Sequence, residues 1–140
     1  MTLENLVKIN QLKKEAVDKR EFEGLLKSAV DRLNDAENKT LSYSSRFDLA
    51  YSAAHGFALA ALRASGYRSD KRYLVFQCLT YTTELNKVQI HLFAKCHEKR
   101  NLAEYEGHYE EDELLLSELI GNTKELKKHV EGIELLVHEK

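Results

Sequence analysis

An all-α fold is predicted by three features of this 140-residue sequence: it has no proline and only six glycines, its apolar residues recur every third or fourth position, and it holds few clusters of turn-forming residues. With 43% hydrophobic and 31% charged residues, a chain of this length can bury one core without metal or disulfide staples. Residues 1–140 are therefore read as one domain, an up-and-down bundle of about five helices.

The first apolar pattern, Leu3, Leu6, Ile9, Leu12 and Val17, is broken by charges and predicts a weakly amphipathic helix. From Glu21 the pattern sharpens. Phe22, Leu25, Leu26, Ala29, Val30, Leu33 and Ala36 fall on one helical face, and Asn34, Asn38 and Lys39 lead out of it. A third helix follows the polar "NKTLSYSS". Ser45 and Asp48 have the spacing of a capping box, and Thr40 or Ser42 offers an earlier start. Its stripe of Phe47, Ala50, Tyr51, Ala54, Phe57, Ala58, Ala61 and Leu62 is rich in small residues that let helices approach closely, and Gly66 is placed to end it.

"GYRSDKR" reads as a loop, and the apolar "YLVFQCLTYT" after it is assigned to helix by its all-helical context. The next helix is expected to bury Leu85, Val88, Leu92, Cys96 and Ala103, ending near Gly107. The C-terminal helix carries Leu116, Leu119, Thr123, Leu126, Val130, Ile133 and Val137 in alternating steps of three and four, a seam suited to another helix of the bundle or of a second subunit.

Composition limits the function classes. Lys and Arg number 21 against 23 Asp and Glu, a net charge of −2, so any nucleic-acid contact must be local. Cys78 and Cys96 lie in apolar runs without zinc-ligand spacing, which fits a reducing compartment. The N-terminus lacks an apolar signal core and no stretch approaches a membrane span, so a soluble, cytoplasmic protein is expected.

The stretch "KCHEKRNLAEYEGHYEED" carries the chemistry. On an ideal helix His97, Asn101, Glu104 and His108 share a narrow arc, with Arg100 on one margin and Tyr105 on the other. Arg100 adjoins the apolar side that holds Cys96, where a rigid, permanently charged fork suits a phosphate oxygen. The competing arrangement is an exposed pair between Arg100 and Glu104 one turn on. "HEKRN" is not a metalloprotease motif, and neither a metal site nor a cofactor is expected.

Together, "SSRFDLAYSAAHGFALAALRASGYR" and "KRNLAEYEG" resemble the HEPN superfamily of small helical bundles, in the branch with an RN-x-AEY signature, over roughly residues 20–135. The resemblance implies a homodimer with a composite groove, RNA or nucleotide as ligand, and a place in toxin–antitoxin or defence systems. Many such proteins are metal-independent ribonucleases with an R-x4-6-H motif. Others are inactive and bind RNA, nucleotides or a nucleotidyltransferase partner. Arg100 and Asn101 match the start of that motif, but Tyr105 stands where the first permitted histidine would, and seven residues separate Arg100 from His108.

Cleavage of RNA through its 2′-hydroxyl requires a base near neutrality, which histidine supplies and tyrosine does not. Tyr105 can still orient phosphate or stack on a base. His108 could supply the base only if Gly107 breaks the helix, because a straight helix would separate it from Arg100 by about 12 Å along the axis. Asp48, on a neighbouring turn to Tyr51 and His55, is the expected counter-ion of Arg100. The expected binding set is thus Arg100, Asn101, Tyr105, Asp48 and His97, with Arg100 and His108 as the catalytic pair if cleavage survives. The expected activity is phosphate binding with weak or lost ribonuclease function. The alternative is a non-enzymatic module that partners a nucleotidyltransferase.

Overall fold

A computed structural model describes residues 2–139, with side-chain surroundings through Glu134. The chain runs through α1 (Leu3–Lys8), β1 (Lys13–Lys14), α2 (Lys19–Ala36), α3 (Tyr43–Ala64), β2 (Tyr67–Arg68), α4 (Arg72–Gln77), α5 (Leu79–Thr82), α6 (Lys87–Glu106) and α7 (Glu113–Glu139). The fold is an all-α bundle. The long helices α2, α3, α6 and α7 form its body, α3 touches each of the other three, and α4 wedges between α3 and α6.

Local chemistry sets the helix boundaries. Asp18 caps α2 through the backbone N–H groups of Arg20 and Glu21, and Ser42 caps α3 through that of Ser45. The earlier of the two starts suggested by the serines is therefore used. Gly66 adopts φ +91 directly after the Ser65 cap of α3, a left-handed turn that costs glycine little. Arg46 Nε donates to the carbonyl of Ala36 at 2.8 Å, satisfying an end group of α2 from the first turns of α3.

The α2 face is buried as its periodicity predicts, at Phe22, Leu26, Ala29, Leu33 and Ala36. It meets the small-residue stripe of α3, where a Cβ added at Gly56 would lie 3.1 Å from Ala29 Cβ. That close approach explains the glycine. On α7, Leu116, Leu119, Thr123, Leu126 and Val130 are buried against α2 and α3, so this part of the seam packs within one chain. Ile133 packs partly against the same core, and the Val137 side chain lies outside the described residues.

Two expectations need correction. The first helix ends at Lys8, and Asn10 turns the chain with φ 60, a conformation its short polar side chain tolerates. Leu12 still reaches the core, but Ile9 and Val17 are exposed, because Lys13 and Lys14 pair with Arg68 and Tyr67 in a two-residue antiparallel ladder. On α6, Val88 is 80% exposed, and Ile90, Phe93 and Ala94 join Cys96 and Ala103 in the buried set. Leu92 packs partly against the core, whereas Val88, in the first turn of α6, lies outside the contacts this helix makes with α4 and α3. Burial holds Cys78 and Cys96 as thiols, with pKa values pushed up to about 11 and about 12.

Arg63 is the chief buried charge. Its Nε donates to Glu21, and its remaining nitrogens donate to the carbonyls of Glu15 at 3.1 Å, Ala16 at 2.7 Å and Tyr67 at 3.3 Å. Arg63 also pairs with the Glu15 carboxylate at 3.4 Å, and Arg68 pairs with both Glu15 and Glu21. This knot fastens the N-terminal segment to the ends of α2 and α3. No helix of the described residues is long and apolar enough to cross a membrane.

Candidate phosphate-binding site

The site forms where α3, α4 and α6 meet, and the ring of Tyr51 is its centre. This ring is fully buried on α3, and the guanidinium carbons of Arg72 and Arg100 lie 5.7 and 5.1 Å from its centroid. Both distances are within cation–π range. His97 from α6 stacks beside Tyr51 at a centroid separation of 6.0 Å and an interplanar angle of 24°. Phe76 packs on Tyr51 and on His55, giving the cluster an apolar floor.

His97 is engaged at both ring nitrogens. Its Nδ1 is 2.7 Å from the Tyr51 hydroxyl oxygen, and its Nε2 is 3.1 Å from Asn101 Nδ2. In either neutral tautomer one ring nitrogen donates and the other accepts, so both are engaged by Tyr51 and Asn101. A free base position is therefore missing from this ring. Burial, then Arg100 and Arg72, lowers the His97 pKa from its ordinary value. His55 is pushed down to about 4, first by burial and then by Arg72, His97 and Arg100. Burial raises the Tyr51 hydroxyl's pKa, against the opposing pull of the two arginines. Neutral histidines beside two permanent cations mark a region of positive potential.

Arg100 pairs with Glu104 at 2.8 Å, with 24% of its side chain exposed. The i,i+4 pair and the phosphate-facing position are thus not exclusive, because the same guanidinium also covers Tyr51. Among the described residues no carboxylate pairs with Arg72, so one of the two charges at the ring stands without a counter-ion.

On its other side Arg100 borders a groove of about 520 Å³ lined also by Asp48, Glu104, His108 and Tyr109. Gly107, in the left-handed conformation at φ 84, ends α6 and turns His108 into this groove. Arg100 and His108 therefore share one concavity despite the long spacing. Asp48 is not the counter-ion of Arg100: its carboxylate accepts a hydrogen bond from the Tyr109 hydroxyl, while Arg100 is held by Glu104. Burial, followed by that bond to Asp48, raises the Tyr109 pKa.

The predicted residues consequently divide into three groups. His97, Arg100 and Asn101 meet at the Tyr51 cluster, Asp48 and His108 line the adjoining groove, and Tyr105 projects into solvent at 91% exposure. Arg72 and Tyr73 complete the site from outside the predicted set: Arg72 closes the "GYRSDKR" stretch read as a loop but begins α4, and no spacing in the sequence relates either residue to position 100. The i,i+4 relation of Tyr51 and His55 was the available hint that this side of α3 is polar. A scan against protein-family models matches no family, and searches of curated proteins and of solved structures find no match either.

Proposed function

We propose that this chain is a HEPN-like protein that binds the phosphate of RNA or of a nucleotide, with little or no ribonuclease activity. The observation that carries this reading is the convergence of Arg72 and Arg100 on the single buried ring of Tyr51, with no carboxylate on Arg72 among the described residues. A phosphate that meets the Arg72 guanidinium gains charge-assisted hydrogen bonds from a cation with no carboxylate partner among the described residues, and Arg100 on the same ring adds to the attraction.

The same geometry argues against efficient cleavage. Tyr105 touches neither arginine nor histidine in any described contact, and both nitrogens of His97 are occupied. His108 is the remaining imidazole within the Arg100 groove. The test is RNA binding and RNA cleavage in EDTA by wild type, Arg100→Ala, His97→Ala, His108→Ala and Tyr105→Phe. The expected result is binding that Arg100→Ala abolishes, with cleavage at background in every protein. Robust cleavage lost in His108→Ala would instead identify a shifted active site.

A second reading, docking of a nucleotidyltransferase or a second copy of this chain, is favoured by Leu102 and Tyr105, which stand 56% and 91% exposed one turn apart on α6. It takes precedence if the wild type binds no RNA and Leu102→Glu changes its oligomeric state or partner binding.

A further inference from the structure

Beside the arginines lies an aromatic ring that the phosphate reading does not use. Tyr73 follows Arg72 in the first turn of α4, and its ring centroid is 6.1 Å from that of His97, tilted by 48°. It is nevertheless 47% exposed. One side of Tyr73 is thus fixed against the His97 that also touches Tyr51, while the rest of the ring faces solvent within one residue of a phosphate-directed guanidinium. Single exposed tyrosines are ordinary on protein surfaces, and this chain has others. Tyr81 and Tyr105 are 43% and 91% exposed, but neither makes a ring contact or a cation–π contact among the described residues. Tyr73 differs because it is braced and because it adjoins the charged site.

From this arrangement we infer that Tyr73 is a stacking platform for an unpaired nucleobase whose phosphate is held by Arg72 and Arg100, so that the ligand is a single-stranded nucleotide unit. The inference rests on the phosphate reading above and specifies its ligand. A base within a duplex presents no open face to Tyr73, whereas an unpaired base stacks on tyrosine with little dependence on its identity. Asn101, held on the far side of His97, has amide valences left over from its bond to Nε2 with which to meet a base edge or a ribose hydroxyl. The two sources of such a unit are a free nucleotide and an RNA strand.

The test compares wild type with Tyr73→Ala, Tyr73→Phe, Tyr81→Ala and Arg100→Ala, using AMP, a short labelled oligoadenylate, its perfect RNA duplex and inorganic pyrophosphate as probes. Tyr73→Ala should weaken oligoadenylate binding about tenfold or more, as loss of one stacked base does. It should leave pyrophosphate affinity within about twofold of wild type. Tyr73→Phe and Tyr81→Ala should bind oligoadenylate as wild type does, and the duplex should bind more weakly and ignore Tyr73. AMP equal in affinity to the oligonucleotide would identify a nucleotide ligand, and a preference for the oligonucleotide an RNA strand; both carry the stacking role. If Arg100→Ala loses both oligoadenylate and pyrophosphate while Tyr73→Ala retains oligoadenylate, the platform is refuted and the phosphate site stands. If Arg100→Ala binds every probe as wild type does, the phosphate site falls and the platform with it.

Discussion

Lowering the pH from 7 to 5 should destabilise this fold through His55, and the size of the loss reports the burial of that imidazole first and the neighbouring cations second. The folded imidazole has a pKa of about 4, against an ordinary value of 6.5, because it is buried and faces Arg72, His97 and Arg100. Between those values the unfolded chain binds the proton and the folded chain does not. Stability is therefore complete above the unfolded value and declines as pH falls toward the folded one. At pH 5 the loss relative to pH 7 is at most about 2 kcal/mol, and solvent screening at the partly exposed ring brings it to about 1 kcal/mol. His97, shifted the same way, adds to it. Glu4 and Glu21 are also stabilised as carboxylates, but their effect develops below their ordinary value of 4.5 and is common to wild type and variant. Urea unfolding of wild type and His55→Leu at both pH values isolates the difference. Wild type should lose about 1 kcal/mol more than His55→Leu over this interval. Equal losses in the two proteins would refute the reasoning, because His55 would then titrate alike in the folded and unfolded chains.

Binding should respond to pH in the opposite sense. An anion bound beside Arg100 and Arg72 opposes the lowering of the His97 pKa, so RNA affinity measured by fluorescence anisotropy should rise as pH falls from 7.5 to 6, and His97→Gln should flatten the trend. Arg63→Ala leaves the carbonyls of Glu15, Ala16 and Tyr67 without this donor and Glu21 with Arg68 alone, and chemical denaturation should show a loss of about 3 kcal/mol. Gly56→Leu drives a branched side chain into the contact with Ala29, and the same measurement should show a loss of about 1–3 kcal/mol from overpacking. Arg72→Ala, at an exposed position without an ion pair among the described residues, should cost about 1 kcal/mol through its contact with Tyr51 while RNA binding falls.

Much of the bundle is legible in the sequence because α2 and the described part of α7 each bury one continuous stripe, and because Ser42 and Gly66 mark the ends of α3 by local chemistry. Legibility fails where one helix contacts several neighbours. The buried face of α6 is set by α4 and α3 in turn, so residues that appear periodic, such as Val88, lie in solvent. At the site, the pairs Arg100–Glu104 and His97–Asn101 follow from i,i+4 spacing within one helix. The contacts of Tyr51 with His97, Arg100 and Arg72 span three helices, and no local pattern encodes them. Arg63 is similar: it interrupts the apolar run of α3 at a fully buried position, and its partner Glu21 is 42 residues away.

The most direct test of phosphate binding at the Tyr51 cluster is a titration of isotope-labelled protein with oligoadenylate, followed residue by residue in backbone and side-chain amide NMR spectra. Shifts should concentrate at Arg72 and Tyr73 at the start of α4 and at His97, Arg100 and Asn101 on α6, saturate together, and weaken as salt is raised. Shifts confined to another surface, or spectra unchanged at saturating RNA, would contradict a ligand site built on Arg72 and Arg100.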